Sequence, residues 1–363
     1  LNDGKGNFKR AEDALPAVYS SKSCVRIADI NGDGYPDVFV GGRVIPGRYP
    51  ETPESYILIN DGKGRFTDQT QNIAPALRHA GMITDAAWTD MNGDGRHDLI
   101  VTGEWMPVMV FVNNNGRLED KTGVYFEKPY YGWWNKLLVQ DMNGDGRPDL
   151  IAGNMGWNTQ CRVSENEPAE MYFKDFDDNG SVDPILCFYI QHKSYPYVTR
   201  DELLNQISIM RTRYTHYRSF ADQTLTDIFT AGELKGAGHL KAGCLGTTYF
   251  EMGNDGKFRS IPLPLPAQAS PVFTINALDY DKDGKQDLLL CGNINQARLR
   301  FGKYDANYGV LLKGDGKGNF EYVPQWRSGL RLWGDVRSVL QVNDTWLFGI
   351  NQNTVKAYTI MMK

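Results

Sequence analysis

Asp29-Ile-Asn31-Gly-Asp33-Gly-Tyr35-Pro-Asp37 is the first of five copies of one nine-residue pattern, which returns at residues 90–98, 141–149, 175–183 and 279–287. Positions 1, 3, 5 and 9 carry oxygen-bearing side chains throughout. They are Asp29, Asn31, Asp33 and Asp37; Asp90, Asn92, Asp94 and Asp98; Asp141, Asn143, Asp145 and Asp149; Asp175, Asp177, Asn179 and Asp183; and Asp279, Asp281, Asp283 and Asp287. Position 7, which can offer its backbone carbonyl, is Tyr35, Arg96, Arg147, Ser181 or Lys285. A glycine at position 6 permits the sharp bend that lets hard oxygen ligands converge on one ion, so the pattern reads as a Ca²⁺ loop and predicts about five bound ions. It is not an EF-hand. That motif needs a bidentate Glu at position 12, where this chain has Val40, Val101, Ala152, Leu186 and Leu290.

The flanks specify strands. Val25-Arg-Ile-Ala28 leads into the first loop and Val38-Phe-Val40 leads out, as Leu137-Leu-Val139 and Leu150-Ile-Ala152 do for the third, so each unit reads as a β-hairpin bent around a cation. A second element recurs downstream: an apolar run, a Gly-rich turn and a Phe, at residues 56–66 and 310–320, with shortened forms at 254–258 and 113–116. Two hairpins per repeat of roughly 50 residues make a four-stranded blade, the signature of a β-propeller.

On these loops and hairpins the chain resembles the FG-GAP or VCBS repeat family, the calcium propellers of integrin α subunits and of bacterial relatives of cartilage acidic protein. The resemblance covers nearly all of the chain except residues 192–244. It implies an all-β propeller but not a reaction, because the family includes adhesins, surface proteins and polysaccharide lyases.

Strands leading into loops fall near residues 24, 84, 136, 170, 272 and 335, which predicts six blades, or seven if residues 225–262 carry a metal-free one. The expected organisation is a single domain over 1–363. Its ring closes where residues 1–10 join three strands within 334–360, which removes an exposed sheet edge. A helical insertion lies at about 192–244: Thr199-Arg-Asp-Glu202 reads as a capping box, and Leu203, Ile207, Met210, Tyr214 and Tyr217 follow at helical spacing to about residue 221. Its apolar stripe is read as packing on the propeller, with docking of a partner as the sharper alternative. Leu1-Asn-Asp-Gly-Lys-Gly-Asn-Phe8 copies an outer-hairpin turn without the preceding strand, which reads as a piece of a longer protein with neighbouring domains.

The formal net charge of the 363 residues is −5, and five divalent ions would add ten charges to it. The acidity is therefore a metal-site signal. Neither nucleic acid nor membrane insertion is expected of this chain: Arg211, Arg213, His216 and Arg218 are too few and too mixed with acids for a nucleic-acid surface, and no apolar run approaches the ~20 residues that span a bilayer. Cys24, Cys187 and Cys291 sit in apolar strand patterns, while Cys161 and Cys244 lie in loop contexts that leave room for one disulfide. Loops of three or four carboxylates suit extracellular calcium levels, so the expected location is extracellular, cell-surface or periplasmic.

Strand direction puts residues just after each second strand on the face opposite the metals. There Arg43, Glu104, Trp105, Asn154, Trp157, Asn158 and Asn293 gather, with Trp134 from before a first strand. Aromatic faces among amides and guanidinium groups suit sugar rings, and Trp105, Trp134 and Trp157 are the expected exposed platforms. The competing reading makes these residues wedges between blades. The function expected is a calcium-stabilised binding module for glycan or protein ligands. The alternative is a calcium-propeller polysaccharide lyase or glycosidase, for which His79, His192, Tyr130, Tyr131 and Arg43 are the raw material.

Overall fold

In the computed structural model, which describes residues 2–18, 20–298 and 300–360, every nonapeptide closes an antiparallel hairpin. The last paired residues are Ala28 with Asp37, Thr89 with Asp98, Gln140 with Asp149, Lys174 with Asp183 and Leu278 with Asp287. Position 9 is thus the first residue of the returning strand as well as a loop residue.

Among the described residues the chain is all-β, with five blades whose strands follow one another outward in chain order. Blade 1 comprises Ser21–Ala28, Asp37–Val44, Tyr56–Asn60 and Phe66–Asp68. Blade 2 comprises Met82–Thr89, Asp98–Met106, Met109–Asn114 and Arg117–Asp120, and Gly132–Trp133 pairs with its second strand. Blade 3 comprises Lys136–Gln140, Asp149–Gly153, Thr248–Met252 and Phe258–Pro262. Blade 4 comprises Val272–Leu278, Asp287–Gly292, Val310–Gly314 and Phe320–Val323, and blade 5 Val336–Val342, Thr345–Ile350 and Lys356–Thr359.

All six strands expected to lead into loops are present, but the fourth belongs to no consecutive blade. The chain leaves blade 3 after Gly153 and returns at Thr248, and between them it builds a separate four-stranded sheet in the order Lys193–Pro196, Asp183–Ile190, Ala169–Lys174 and Gly238–Ala242. This topology explains why the loops at Asp141 and Asp175 are so close in sequence. It also corrects the expected insertion: the excursion spans 154–247 and carries a calcium-type loop of its own. Residues 225–262 form no blade; they supply two short helices, one strand of the inserted sheet and the outer hairpin of blade 3.

The helix expected over 200–221 is broken into Arg200–Gln206, Met210–Arg213 and the 3₁₀ turn Tyr217–Ser219. The capping box at Thr199 and Glu202 forms as read, and the helix stops at Ile207, whose backbone is extended. Leu203, Ile207, Met210 and Tyr214 turn onto Ile185 and Cys187 of the inserted sheet, so the stripe covers its own sheet and leaves Tyr217 exposed. At the C-terminal end, the described residues of blade 5 form three strands. The N-terminal segment expected to supply a fourth makes its own bridge between Asn2 and Phe8.

Second strands read as unbroken apolar runs because both faces are covered. Leu99 packs with Phe39 and Ile83 between blades 1 and 2, while its neighbour Ile100 packs with Trp134 and Leu150 between blades 2 and 3. Ile151 and Leu288 continue this between blades 3 and 4, and Leu289 and Phe348 between blades 4 and 5. A side chain of this size contributes about 1.5–3 kcal/mol when fully buried, so the interblade seams hold the arc together. The inserted sheet docks on blade 2 through Met171 and Ala242 against Met82 and Trp105.

Candidate metal loops and ligand cleft

Position 1 of each loop organises the bend: Asp29 accepts backbone N–H groups from Gly32 at 2.8 Å, Asp33 at 3.2 Å and Gly34 at 2.8 Å, and Asp90 and Asp141 repeat this. Position 9 is buried in all five loops. One oxygen of Asp37, Asp98, Asp149, Asp183 and Asp287 accepts the N–H of loop position 2 at 2.9–3.0 Å. In the four blade loops the other oxygen accepts an N–H of the third strand, from Asn60, Asn113, Met252 and Gly314, at 2.7–2.9 Å. Position 9 therefore fastens the loop to the outer hairpin, and burial raises its pKa despite these bonds.

Position 7 contributes a side chain to the packing of the blade. Tyr35 lies against Gly62, Lys285 against Gly316, and Arg96 donates to the carbonyl of Asn113, each reaching the turn of the outer hairpin. Nothing in the loop pattern itself signals this role. Arg96 and Arg147 also turn a guanidinium onto position 5, at 2.6 Å from Asp94 and 2.5 Å from Asp145.

The donor sets suit a hard cation. Asp175, Asp177 and Asp183 bring carboxylate oxygens within 4.8 Å of one another, as do Asp279, Asp281 and Asp283. Asp177 Oδ1 and Asp281 Oδ1 are buried without a hydrogen-bond donor, a costly state for an anionic oxygen unless a cation faces it. Lys313 holds part of that charge in the last loop, pairing with Asp281 and lying 3.1 Å from Asp283. In the first three loops position 3 is Asn, whose amide donates to the position 5 carboxylate at 2.8–3.0 Å.

The residues expected on the opposite face divide sharply. Trp105 and Trp134 are buried, which overturns their reading as platforms. Trp134 fills the seam against Phe250, and its Nε1 donates to the carbonyl of Tyr130. Trp105, at φ 62°, packs edge-on to Trp133 and donates to the Tyr49 hydroxyl at 2.8 Å. Tyr49 in turn donates to Glu104 at 2.7 Å, and Glu104 pairs with Arg43, so these three polar groups satisfy one another. Burial first, and Glu104 second, hold the Tyr49 hydroxyl well above its usual pKa. Asn154 and Asn293 are also buried: their amides donate to the carbonyls of Cys244, and of Asn307 and Gly334, fixing connections between elements. Exposure depends on the neighbouring blade, which strand direction does not report.

Trp157 and Asn158 remain accessible. Trp157 borders a cleft of about 590 Å³ between blade 3 and the base of the inserted sheet, together with Tyr130, Tyr131, Lys128, Arg162, Glu165, Lys241 and Gly246. Trp157 and Tyr131 are each 43% exposed. The floor is fixed by the Tyr131 carbonyl, which accepts N–H groups from Gly243 and Cys244 at 3.0 Å each. Cys161 and Cys244 line this cleft as free thiols, and burial pushes Cys161 up to about 11. Lys128, Arg162 and Lys241 carried no signal in the sequence, because the cleft joins three segments that only the excursion from blade 3 brings together. The groups considered for a lyase are dispersed. His79 lies 3.8 Å from Glu54, His192 is 2.5 Å from Glu167 and Arg43 pairs with Glu104, while Tyr130 and Tyr131 share the cleft.

A family model described as FG-GAP-like repeat matches residues 49–101 and 90–152, which contain the second and third loops. Residues 49–152 thus match FG-GAP-like repeats, as their motifs implied. No curated protein matches it. Among solved structures, it is similar to the Vibrio cholerae biofilm matrix protein Bap1 at 10% identity and a TM-score of 0.34, covering 93% of this chain and 68% of that one. It is also similar to BBS1N, solved in complex with ARL6DN, at 10% identity and a TM-score of 0.29, covering 96% and 94%. No helix among the described residues is long and apolar enough to cross a membrane.

Proposed function

We propose that this chain is a calcium-stabilised binding module of the cell surface or the extracellular space, and that it takes glycan ligands in the cleft between blade 3 and the inserted sheet. The observation that carries this reading is the pair of half-exposed rings, Trp157 and Tyr131, lining one cleft of about 590 Å³. That volume lies within the ~300–1,000 Å³ of small-molecule sites, and aromatic faces beside polar groups suit a sugar ring. Calcium in the loops acts by binding the folded hairpins only, with Asp177 and Asp281 supplying the oxygens that otherwise lack a partner.

The test is titration of the full chain, in calcium, with soluble oligosaccharides. Trp157→Ala is expected to abolish binding while the melting temperature stays where it was. A variant that binds as tightly as the parent would remove the cleft from consideration. The same mixtures, followed in the ultraviolet for unsaturated products, test the lyase alternative.

A further inference from the structure

We propose that the ligand of this cleft is an anionic saccharide, one whose rings carry carboxylates, and that Arg162 and Lys241, both on the excursion from blade 3, supply the recognition of charge. The inference rests on the glycan reading of the cleft and names the class within it. Its basis is an imbalance of charge on a chain whose overall sign is the opposite.

The formal net charge is −5, yet the cleft is lined by Lys128, Arg162 and Lys241 against a single acid, Glu165. Glu165 is already paired with Lys128, which lifts the lysine's pKa. Two cations are left over. Lys241, exposed on the Gly238–Ala242 strand, makes no side-chain hydrogen bond or ion pair among the described residues. Arg162 is also exposed and gives one N–H to the backbone carbonyl of Trp157 at 3.3 Å, which leaves the rest of its planar fork free in the cleft that Trp157 also lines. Five donors in a fixed fork match a carboxylate in bidentate fashion, and a lysine adds a point charge.

Tyr131 precedes blade 3, whereas Trp157, Arg162 and Lys241 all lie on the excursion, the first two on the segment that leaves blade 3 and Lys241 on the inserted sheet. The cleft thus brings a ring platform and two cations together from both sides of the excursion. A uronate sugar, with one charge per ring, fits two unpaired cations. A nucleic acid does not, since it needs a basic stripe that an acidic chain with two free cations in one cleft cannot offer.

Calorimetric titration of the full chain in calcium compares tetragalacturonate with the neutral cellotetraose. The uronate is expected to bind at least about tenfold more tightly, the equivalent of one charge-assisted contact, and to lose that margin in moderate salt. Lys241→Ala is expected to erase about tenfold of uronate affinity and leave cellotetraose affinity and melting temperature unchanged. Arg162→Ala tests the second cation in the same way. Equal affinity for the two sugars, with Trp157→Ala still abolishing both, overturns the anionic assignment and leaves the glycan cleft standing. A uronate preference that survives the Lys241→Ala, Arg162→Ala double variant also overturns it, because the charge is then read elsewhere. Absence of binding to either sugar overturns both readings. Tighter binding of polyglutamate or of a single-stranded oligonucleotide at the same cleft rejects the saccharide class.

Discussion

A β-carbon placed on Gly246 would lie 2.8 Å from Nε1 of Trp157 and 3.3–3.4 Å from two further indole atoms. The indole thus leans on a bare stretch of backbone where the chain returns from the excursion to blade 3, and the absence of a side chain there sets the tilt of the ring.

Gly246→Ala is expected to push the indole away from that backbone and weaken oligosaccharide binding about tenfold, a loss of ~1.4 kcal/mol. The melting temperature should hold, because the ring is half exposed and moves into solvent. Calorimetry and thermal unfolding on one preparation measure both. An unchanged affinity would show that the tilt does not matter.

Asp149→Ala removes the acceptor for Met142 N–H at 3.0 Å, Met252 N–H at 2.8 Å and the Tyr249 hydroxyl at 2.8 Å, all buried. Each orphaned donor costs about 1–3 kcal/mol, so this change should destabilise the protein more than Asp145→Ala, whose carboxylate is partly exposed. Denaturant melts of the two variants in calcium give the comparison, and the reverse order would deny position 9 its fastening role.

Chelation should lower the melting temperature by many degrees. Each ion held at 100 times its dissociation constant stabilises the fold by about 2.7 kcal/mol, and its removal leaves carboxylates crowded together, with Asp177 Oδ1 and Asp281 Oδ1 unpartnered. Scanning calorimetry with and without excess EDTA tests this, and identical melts would count against calcium in the loops.

Strong acid should loosen the inserted helices. Glu233 is held down to about 2, first by its bonds to Arg213, and it also caps the helix that starts after Thr230. A carboxylate with a depressed pKa contributes stability that is complete above its unfolded pKa, ~4.3, and is lost as pH falls toward the folded value. Hydrogen exchange over 225–234 should therefore rise between about pH 4 and pH 2, and Glu233→Gln should remove that step.

How far the sequence reaches is clear from particular residues. The hairpins around Asp29, Asp90, Asp141, Asp175 and Asp279 are local: ligand-bearing loop, glycine bend and paired apolar runs all lie within about twenty residues, so the sequence alone determines them and, through their repetition, the blades. The capping box at Thr199 and Glu202 is equally local. What the tertiary structure decided is which hairpin joins which sheet and which face stays open. Nothing near Asp175 marks its hairpin as an excursion from blade 3, since a strand carries no label for its partner. Trp105 and Trp157 both come at or just after a second strand, yet the first is sealed by a neighbouring element and the second faces a cleft. Burial depends on what lies across an interface, as Phe250 does from Trp134, and a pattern read along one strand holds no information about the surface that will cover it.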